Sequence, residues 1–420
     1  MMSPVAPQPP LAMLILRIFL PFAAGYFLSY LFRTVNAVLA PDLAHAVTLD
    51  AGQLGLLTSA YFIAFASTQL PLGVMLDRFG PRRVESTLLL VAATGAACFA
   101  VADSAVTLII GRALIGFGVS ACLMAAFKAN VLWFPRDRLP LVNGLMMASG
   151  GLGALAATAP VEAALRITDW RGVFAGLAVA TVAVSAVLFA AVPERPLPSS
   201  GERIGRQVRD IATIFGSGLF WRLIPLPTLS QATFMSIQGL WAGPWLRDVG
   251  GLDRGAAAGY LFVAAAAMVA GFVLGGLIAD RLARLGVAPL TVAVTGMSMF
   301  MLIQMAVVAG WFEGQAWIWA AFGFFGTSGT LTYAVLTQAF PAALAGRVNT
   351  ALNLMVFIAS FLVQAGIGAI VALWVPVDGR YPVEAYQSAF GAVLILQLVA
   401  LLWLGISRRP RAGTQAAQAE

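Results

Sequence analysis

Charge is scarce in this chain. Of its 420 residues only 10% are Asp, Glu, Lys or Arg, where a soluble globular domain carries about 25%. There is one histidine, His45, one lysine, Lys128, and two cysteines, Cys98 and Cys122. These numbers exclude a His/Cys metal cluster and a disulfide framework. No nucleophile–base set and no paired carboxylates stand out, which argues against an enzyme. The "GGLG" at 150–153 has no strand before it to make a phosphate loop, so it is read as a close helix contact, and no cofactor is expected. A carboxylate deep within an apolar run is also missing. Asp77 and Asp280 fall at run ends, and Glu162 lies near another.

What the chain does have is apolar length. Sixty percent of it is hydrophobic, in runs that approach or exceed the ~20 residues needed to cross a bilayer as a helix. Twelve runs are expected, at 13–39, 53–76, 86–103, 105–131, 140–163, 171–192, 219–246, 256–279, 287–310, 315–336, 346–374 and 385–407. Without water in the hydrocarbon, only helices or closed barrels satisfy the backbone. Continuous apolar runs are not the alternating strands of a barrel. The fold class is therefore an all-α membrane protein. The first run is read as a span rather than a cleavable signal peptide, because no small-residue cleavage site closes it.

The net charge of +7 sets topology rather than binding nucleic acid. Sixteen arginines, from Arg78 to Arg411, fall in the even-numbered loops and the tail, against five in the odd loops: Arg166, Arg171, Arg247, Arg254 and Arg380. By the positive-inside rule both termini are expected in the cytoplasm, with the chain in a bacterial inner membrane. Lys128 is expected to snorkel from its span.

The longest polar interval, 193–217, splits the runs six and six. "GVMLDR" at 73–78 is echoed by "GLIADR" at 276–281, 203 residues later, as are Pro41 and Leu43 by Pro244 and Leu246. "FP" at 134–135 with "VN" at 142–143 returns 206 residues on. The expected units are an N-terminal six-helix bundle over 1–193, a linker over 194–217, a second bundle over 218–407 and a tail over 408–420. Two such repeats place a cavity near the bilayer midplane between them.

On these motifs the chain resembles the major facilitator superfamily. Gly73, Asp77, Arg78, Gly80, Arg82 and Arg83 match its motif between the second and third spans, with Pro81 where a basic residue is common. Gly276, Asp280 and Arg281 form the second copy, and "GRALIGFG" with Arg112 is similar to its fourth-span motif. The resemblance implies secondary transport by rocking of the two bundles in a monomer. Gly73, Asp77, Arg78, Gly80, Arg82, Arg112, Gly276, Asp280 and Arg281 are the gating candidates. Asp77 would sit at the N-terminus of the eleventh span and Asp280 at that of the fifth. For Arg112, ligand, gating and packing roles all stay open.

Arg33 lies inside the first apolar run, where a charge costs about 2.5–3.5 kcal/mol on insertion scales. Tyr26, Tyr30 and Asn36 share its face at helical spacing. A guanidinium suits carboxylate, phosphate or sulfonate; a structural ion pair or snorkelling is the alternative. The first span is similar to that of the organic-anion and sugar-phosphate permeases of the superfamily. The second arginine of the phosphate exchangers is missing: the 203 offset from Arg33 lands on Ser236. The expected cargo is therefore a small organic anion bearing a carboxylate, with uptake favoured. Drug efflux is the alternative, and a ligand-binding sensor a more distant one. Further expected contacts are Gln238 and Trp241 in the seventh span, Tyr333 in the tenth, and Asn353 and Gln364 in the eleventh. With no deep carboxylate, coupling falls to the rim residue Glu162 or to the anion itself, through a proton or a counter-anion.

Overall fold

The computed structural model describes residues 10–135, 138–194, 204–311, 315–341 and 344–406. The tail at 408–420, and Arg136, Arg195 and Arg203, lie outside them. Among the described residues nine helices are long and apolar enough to cross a membrane. One of them, Ala51–Ala100, has 50 residues. At 1.5 Å per residue it would run more than twice the ~30 Å hydrocarbon thickness. It is broken at Gly80, whose φ of 80° and ψ of 158° no other residue type adopts readily. Pro81 then restarts the helix at a first-turn position, where its missing N–H is no loss. The helix therefore makes the second and third spans. The seventh is assembled from Gly218–Leu223, Pro225–Ser236, a π-turn at Ile237–Trp241 and Ala242–Asp248. The tenth is Ala316–Gly326, a 3-10 turn at Thr327–Leu331 and Thr332–Ala339. With these the spans number twelve.

The two halves keep their repeat at the level of helix caps. Asp50 accepts from the Gln53 N–H at 2.7 Å and starts the second span; Asp253 accepts from the Ala256 N–H at 2.8 Å and starts the eighth. The two caps are again 203 residues apart. Between the halves the chain forms a helix over Ile204–Phe215, tied by an Asp210–Arg347 ion pair to the start of the eleventh span.

Small residues set how closely the spans approach, as expected where lipid removes the usual hydrophobic drive between helices. A Cβ on Gly116 of the fourth span would lie 2.2 Å from the Tyr61 carbonyl oxygen of the second. One on Gly153 of the fifth would lie 2.0 Å from the Phe27 carbonyl oxygen of the first, which accounts for the "GGLG" stretch. The halves meet in the same way on the side away from the linker. Gly55 packs on Gly368 (second and eleventh spans), and Gly243 on the Ala37 carbonyl (seventh and first).

Filling one of these contacts should cost about 1–3 kcal/mol. Gly116→Leu is expected to lower the thermal midpoint of the purified protein. Gly144→Leu, where an added Cβ meets nothing within 4 Å, is expected to leave it unchanged.

Candidate functional site

The first span is interrupted. Helix Leu20–Thr34 ends, Val35 makes a turn, and Asn36–Ala46 continues with Pro41 inside it. The buried Arg112 guanidinium of the fourth span caps this break. It donates to the Phe32 carbonyl at 2.6 Å and the Arg33 carbonyl at 3.3 Å. Arg112 therefore acts on the backbone behind the site and does not line the cavity.

Arg33 points the other way, into a cavity of about 440 Å³ between the two halves. Its guanidinium lies 4.5 Å from the Tyr30 ring centroid, 5.3 Å from Phe357, 5.6 Å from Phe65 and 6.0 Å from Tyr61. Phe65 and Phe357 stack on each other across the halves, with centroids 3.9 Å apart. Among the described residues no carboxylate pairs with Arg33, and its Nε is buried without a partner. A desolvated ring contact returns about 0.5–2 kcal/mol at close range. Four rings lie within about 6 Å, so the charge is partly balanced by ring faces but, among the described residues, by no opposite charge.

Tyr26, Tyr30, Arg33, Gln238, Tyr333 and Asn353 all line this cavity. Tyr333 donates to Asn353 Oδ1 at 3.0 Å, and Asn353 Nδ2 donates to Gln69 of the other half at 2.7 Å. Three expected contacts lie elsewhere. Asn36 is fully buried with no partner for its amide, because the turn at Val35 breaks the helical spacing that put it on the Arg33 face. Trp241 ends the π-turn, which adds a residue to that turn and rotates the indole off the Gln238 face. It packs on Gly55 and Gly368 and donates to the Gln364 carbonyl at 3.1 Å. Gln364 is buried beside it. Gln69, Phe65 and Phe357 were not singled out from the sequence; they sit in apolar runs with nothing to distinguish them from packing residues.

The sequence profile described as the Major Facilitator Superfamily matches residues 22–364. The chain belongs to that family. Among similar proteins is the probable sulfoacetate transporter SauU of Cupriavidus necator, 26% identical over 61% of this chain and 63% of its own. The hexuronate transporter of Bacillus subtilis is 27% identical over 42% of this chain and 41% of its own. The chain thus spans less than two thirds of the curated relatives it matches. A solved bacterial homologue of the human lysosomal transporter Spinster, inward-facing and occupied, superposes with a TM-score of 0.74 at 18% identity, covering 95% of this chain and 97% of that one. The D-xylose-proton symporter gives 0.70 at 16%, covering 92% and 96%. The fold is that of the superfamily, a multi-pass membrane protein.

The superfamily motif at the linker side is not engaged across the halves as the helix-dipole argument anticipates. Asp77 pairs with Lys128 of the fourth span, within its own half, so Lys128 is an ion-pair partner rather than a snorkelling side chain. Asp280 pairs with Arg284 one turn on, at 2.8 Å. Arg82 lies over Phe189 and near Glu194; Arg78 lies over Phe79; Arg281 is exposed. Gly73 and Gly276 have nothing within 4 Å of an added Cβ. The cavity opens toward this face, past Gly346, Asn349 and Thr350 at the start of the eleventh span.

The halves are instead tied on the opposite face. Arg254 of the eighth span donates to Asp42 at 2.8 Å through Nη1, and its other terminal nitrogen meets the second Asp42 oxygen. Its Nε donates to Glu162 at 2.6 Å. Glu162 is thus occupied by this cluster and is not a free rim carboxylate. A fully buried carboxylate inside a span was not among the expectations. Glu85 is 0% exposed, packed against Gly25 of the first span. The third span starts at Pro81 rather than 86, so Glu85 falls inside it.

Arg254→Ala would leave Asp42 and Glu162 adjacent and unpaired. Spin labels at Ile167→Cys and Val377→Cys, both exposed on that face, in a Cys98→Ala background, are expected to report a longer distance distribution than without the substitution.

Proposed function

We propose that this chain is a secondary transporter that carries a small organic anion bearing a carboxylate by alternating access. The observation that carries this is Arg33. It is a cation in the cavity wall at the contact between the halves, ringed by aromatic faces and without an acidic partner among the described residues. A site that leaves one guanidinium unpaired is completed by one anionic group of the cargo. Tyr26, Tyr333, Gln238 and Asn353 offer hydroxyls and amides for its neutral part. The substrates named for the similar proteins, sulfoacetate and hexuronate, support an organic anion.

By the positive-inside rule the arginine bias favours a cytoplasmic linker face, with both termini on that side. On that orientation the structure is closed outside by Arg254, Asp42 and Glu162, and open inward. Closing the cytoplasmic face would bring Gly73 and Gly276 against the opposing half, with Asp77 and Asp280 as latches. Uptake is the favoured direction, and the working unit is a monomer.

Thermal stabilisation of the purified protein across organic anions and neutral analogues tests the reading. An anion at a hundredfold its Kd is expected to add about 2.7 kcal/mol to the wild type, and nothing to Arg33→Ala. Equal stabilisation of both proteins by neutral or cationic compounds would overturn it. A second prediction concerns the gate. Gly73→Leu is expected to leave thermal stability unchanged, because its surroundings are open here, and to reduce transport in proteoliposomes by blocking closure.

A further inference from the structure

Among the described residues, Glu85 is a buried ionisable group inside a span that the anion site does not explain. It is fully buried, and neither carboxyl oxygen has a hydrogen-bond partner among the described residues. A Cβ on Gly25 would lie 2.1 Å from its Oε1, so the first span presses its backbone directly onto the carboxyl. The groups around it are few. From the fourth span the Cys122 thiol, a weak donor, faces it. From the sixth, Ser185 donates to the Ser86 carbonyl at 2.7 Å instead. On its own helix Arg83 turns outward to Glu194, and Arg82 lies over Phe189 and near Glu194. The cationic side chains of the cavity region are engaged elsewhere: Arg112 on backbone carbonyls and Arg33 among rings. Among the described residues no cation is placed to balance an ionised Glu85.

An ionised carboxylate in apolar surroundings without a partner is strongly disfavoured. The packing seen therefore accepts the neutral acid. An ionised Glu85 needs water or a counter-charge, and either requires the seam between Gly25, Leu89 and Cys122 to open. That seam is the back of the cavity wall. Tyr26 and Ser29, beside Gly25 in the first span, line the cavity, as do Val119, Ser120 and Leu123 around Cys122 in the fourth. Ser29 donates to the Val119 carbonyl at 3.5 Å and closes the gap between the two helices. Eight residues beyond Gly25 on the same span is Arg33. Movement of the first span thus acts on both groups.

We infer that Glu85 is the proton-carrying site of this transporter, loaded and unloaded through the seam between the first and fourth spans as the first span moves. Water in the cavity delivers the proton, an O–H bond forms on a Glu85 oxygen, and the same bond breaks to water when the cavity faces the other way. Charge accounting links this to the cargo. With a monoanion on Arg33 and a proton on Glu85, the pair is neutral. With the site empty and Glu85 ionised, it is neutral again. The inference rests on the anion reading of Arg33 for its cargo, but not for the protonation itself.

Two measurements separate these. In proteoliposomes with galacturonate as probe, the wild type is expected to accumulate it about tenfold under a one-unit inside-alkaline gradient, the factor one proton supplies. Glu85→Gln is expected to exchange galacturonate at equal concentrations like wild type, yet not to accumulate it. Accumulation by Glu85→Gln as in wild type would overturn the inference, and so would loss of exchange in a monodisperse Glu85→Gln protein. The second measurement needs no cargo: reaction of the wild type with dicyclohexylcarbodiimide, mapped by mass spectrometry. Labelling of Glu85 is expected at acidic pH and to fall away as the pH is raised. No labelling at any pH, or labelling that ignores pH, would overturn the protonation site. If galacturonate does not move in wild type while labelling follows pH, galacturonate is not the cargo and the protonation site stands.

Discussion

The contact on which the site depends is between Arg112 and the backbone of the first span. Breaking a helix inside a membrane leaves carbonyls that nothing in lipid can satisfy. Arg112 provides the donors, at Phe32 and Arg33. The break in turn sets which way Arg33 points. An arginine buried solely for this task is costly, but here its charge is spent on two carbonyl dipoles and on the Tyr61 ring at 4.9 Å. Removing it would leave buried carbonyls unpaired and free the turn at Val35. Arg112 thus meets the first-span backbone one layer behind the cavity.

Glycines do the complementary work. Between the halves, Gly55 against Gly368 and Gly243 against Ala37 allow backbone contact on the side away from the linker. On the linker side Gly73 and Gly276 stand in open space. The same residue type thus appears in a used and an unused state. The ion pairs follow the same asymmetry: Arg254 bridges Asp42 and Glu162 across the halves on one face, while Asp77 and Asp280 pair within their own halves on the other.

Most of the framework was legible in the sequence, because bilayer thickness imposes span length and a duplicated chain repeats its motifs at a fixed offset. The cavity residues were legible where a helix is regular: Tyr26, Tyr30 and Arg33 on one face, and Asn353 in the eleventh span. They were lost where a helix departs from 3.6 residues per turn. The turn at Val35 carried Asn36 into the core, and the π-turn at Ile237–Trp241 turned Trp241 away. Glu85 was lost for a different reason. Its position after "GPRR" reads as loop, and only the restart of the helix at Pro81 puts it inside. Partners from another span, such as Phe357 over Arg33 or Asp42 on Arg254, leave no local mark in a sequence.

The repeat also shows where the two halves were released from each other. The caps at Asp50 and Asp253 are kept, because both halves must start a helix at the same interface. The position of Arg33 is not kept. Its counterpart Ser236 is fully buried and donates to the Ser360 carbonyl at 3.3 Å, a packing role. The second half instead presents Gln231, Gln238, Tyr333 and Asn353 to the cavity. One half thus holds a charge, and the other holds neutral hydrogen-bonding groups. A ligand satisfying both has an anionic end toward the first span and a hydroxylated or otherwise polar body toward the seventh, tenth and eleventh. A bare inorganic anion would leave the amide side unused, and a purely apolar amphiphile would leave Arg33 unpaired. On the anion reading proposed for Arg33, this division of labour between the halves restricts the cargo more tightly than Arg33 does alone.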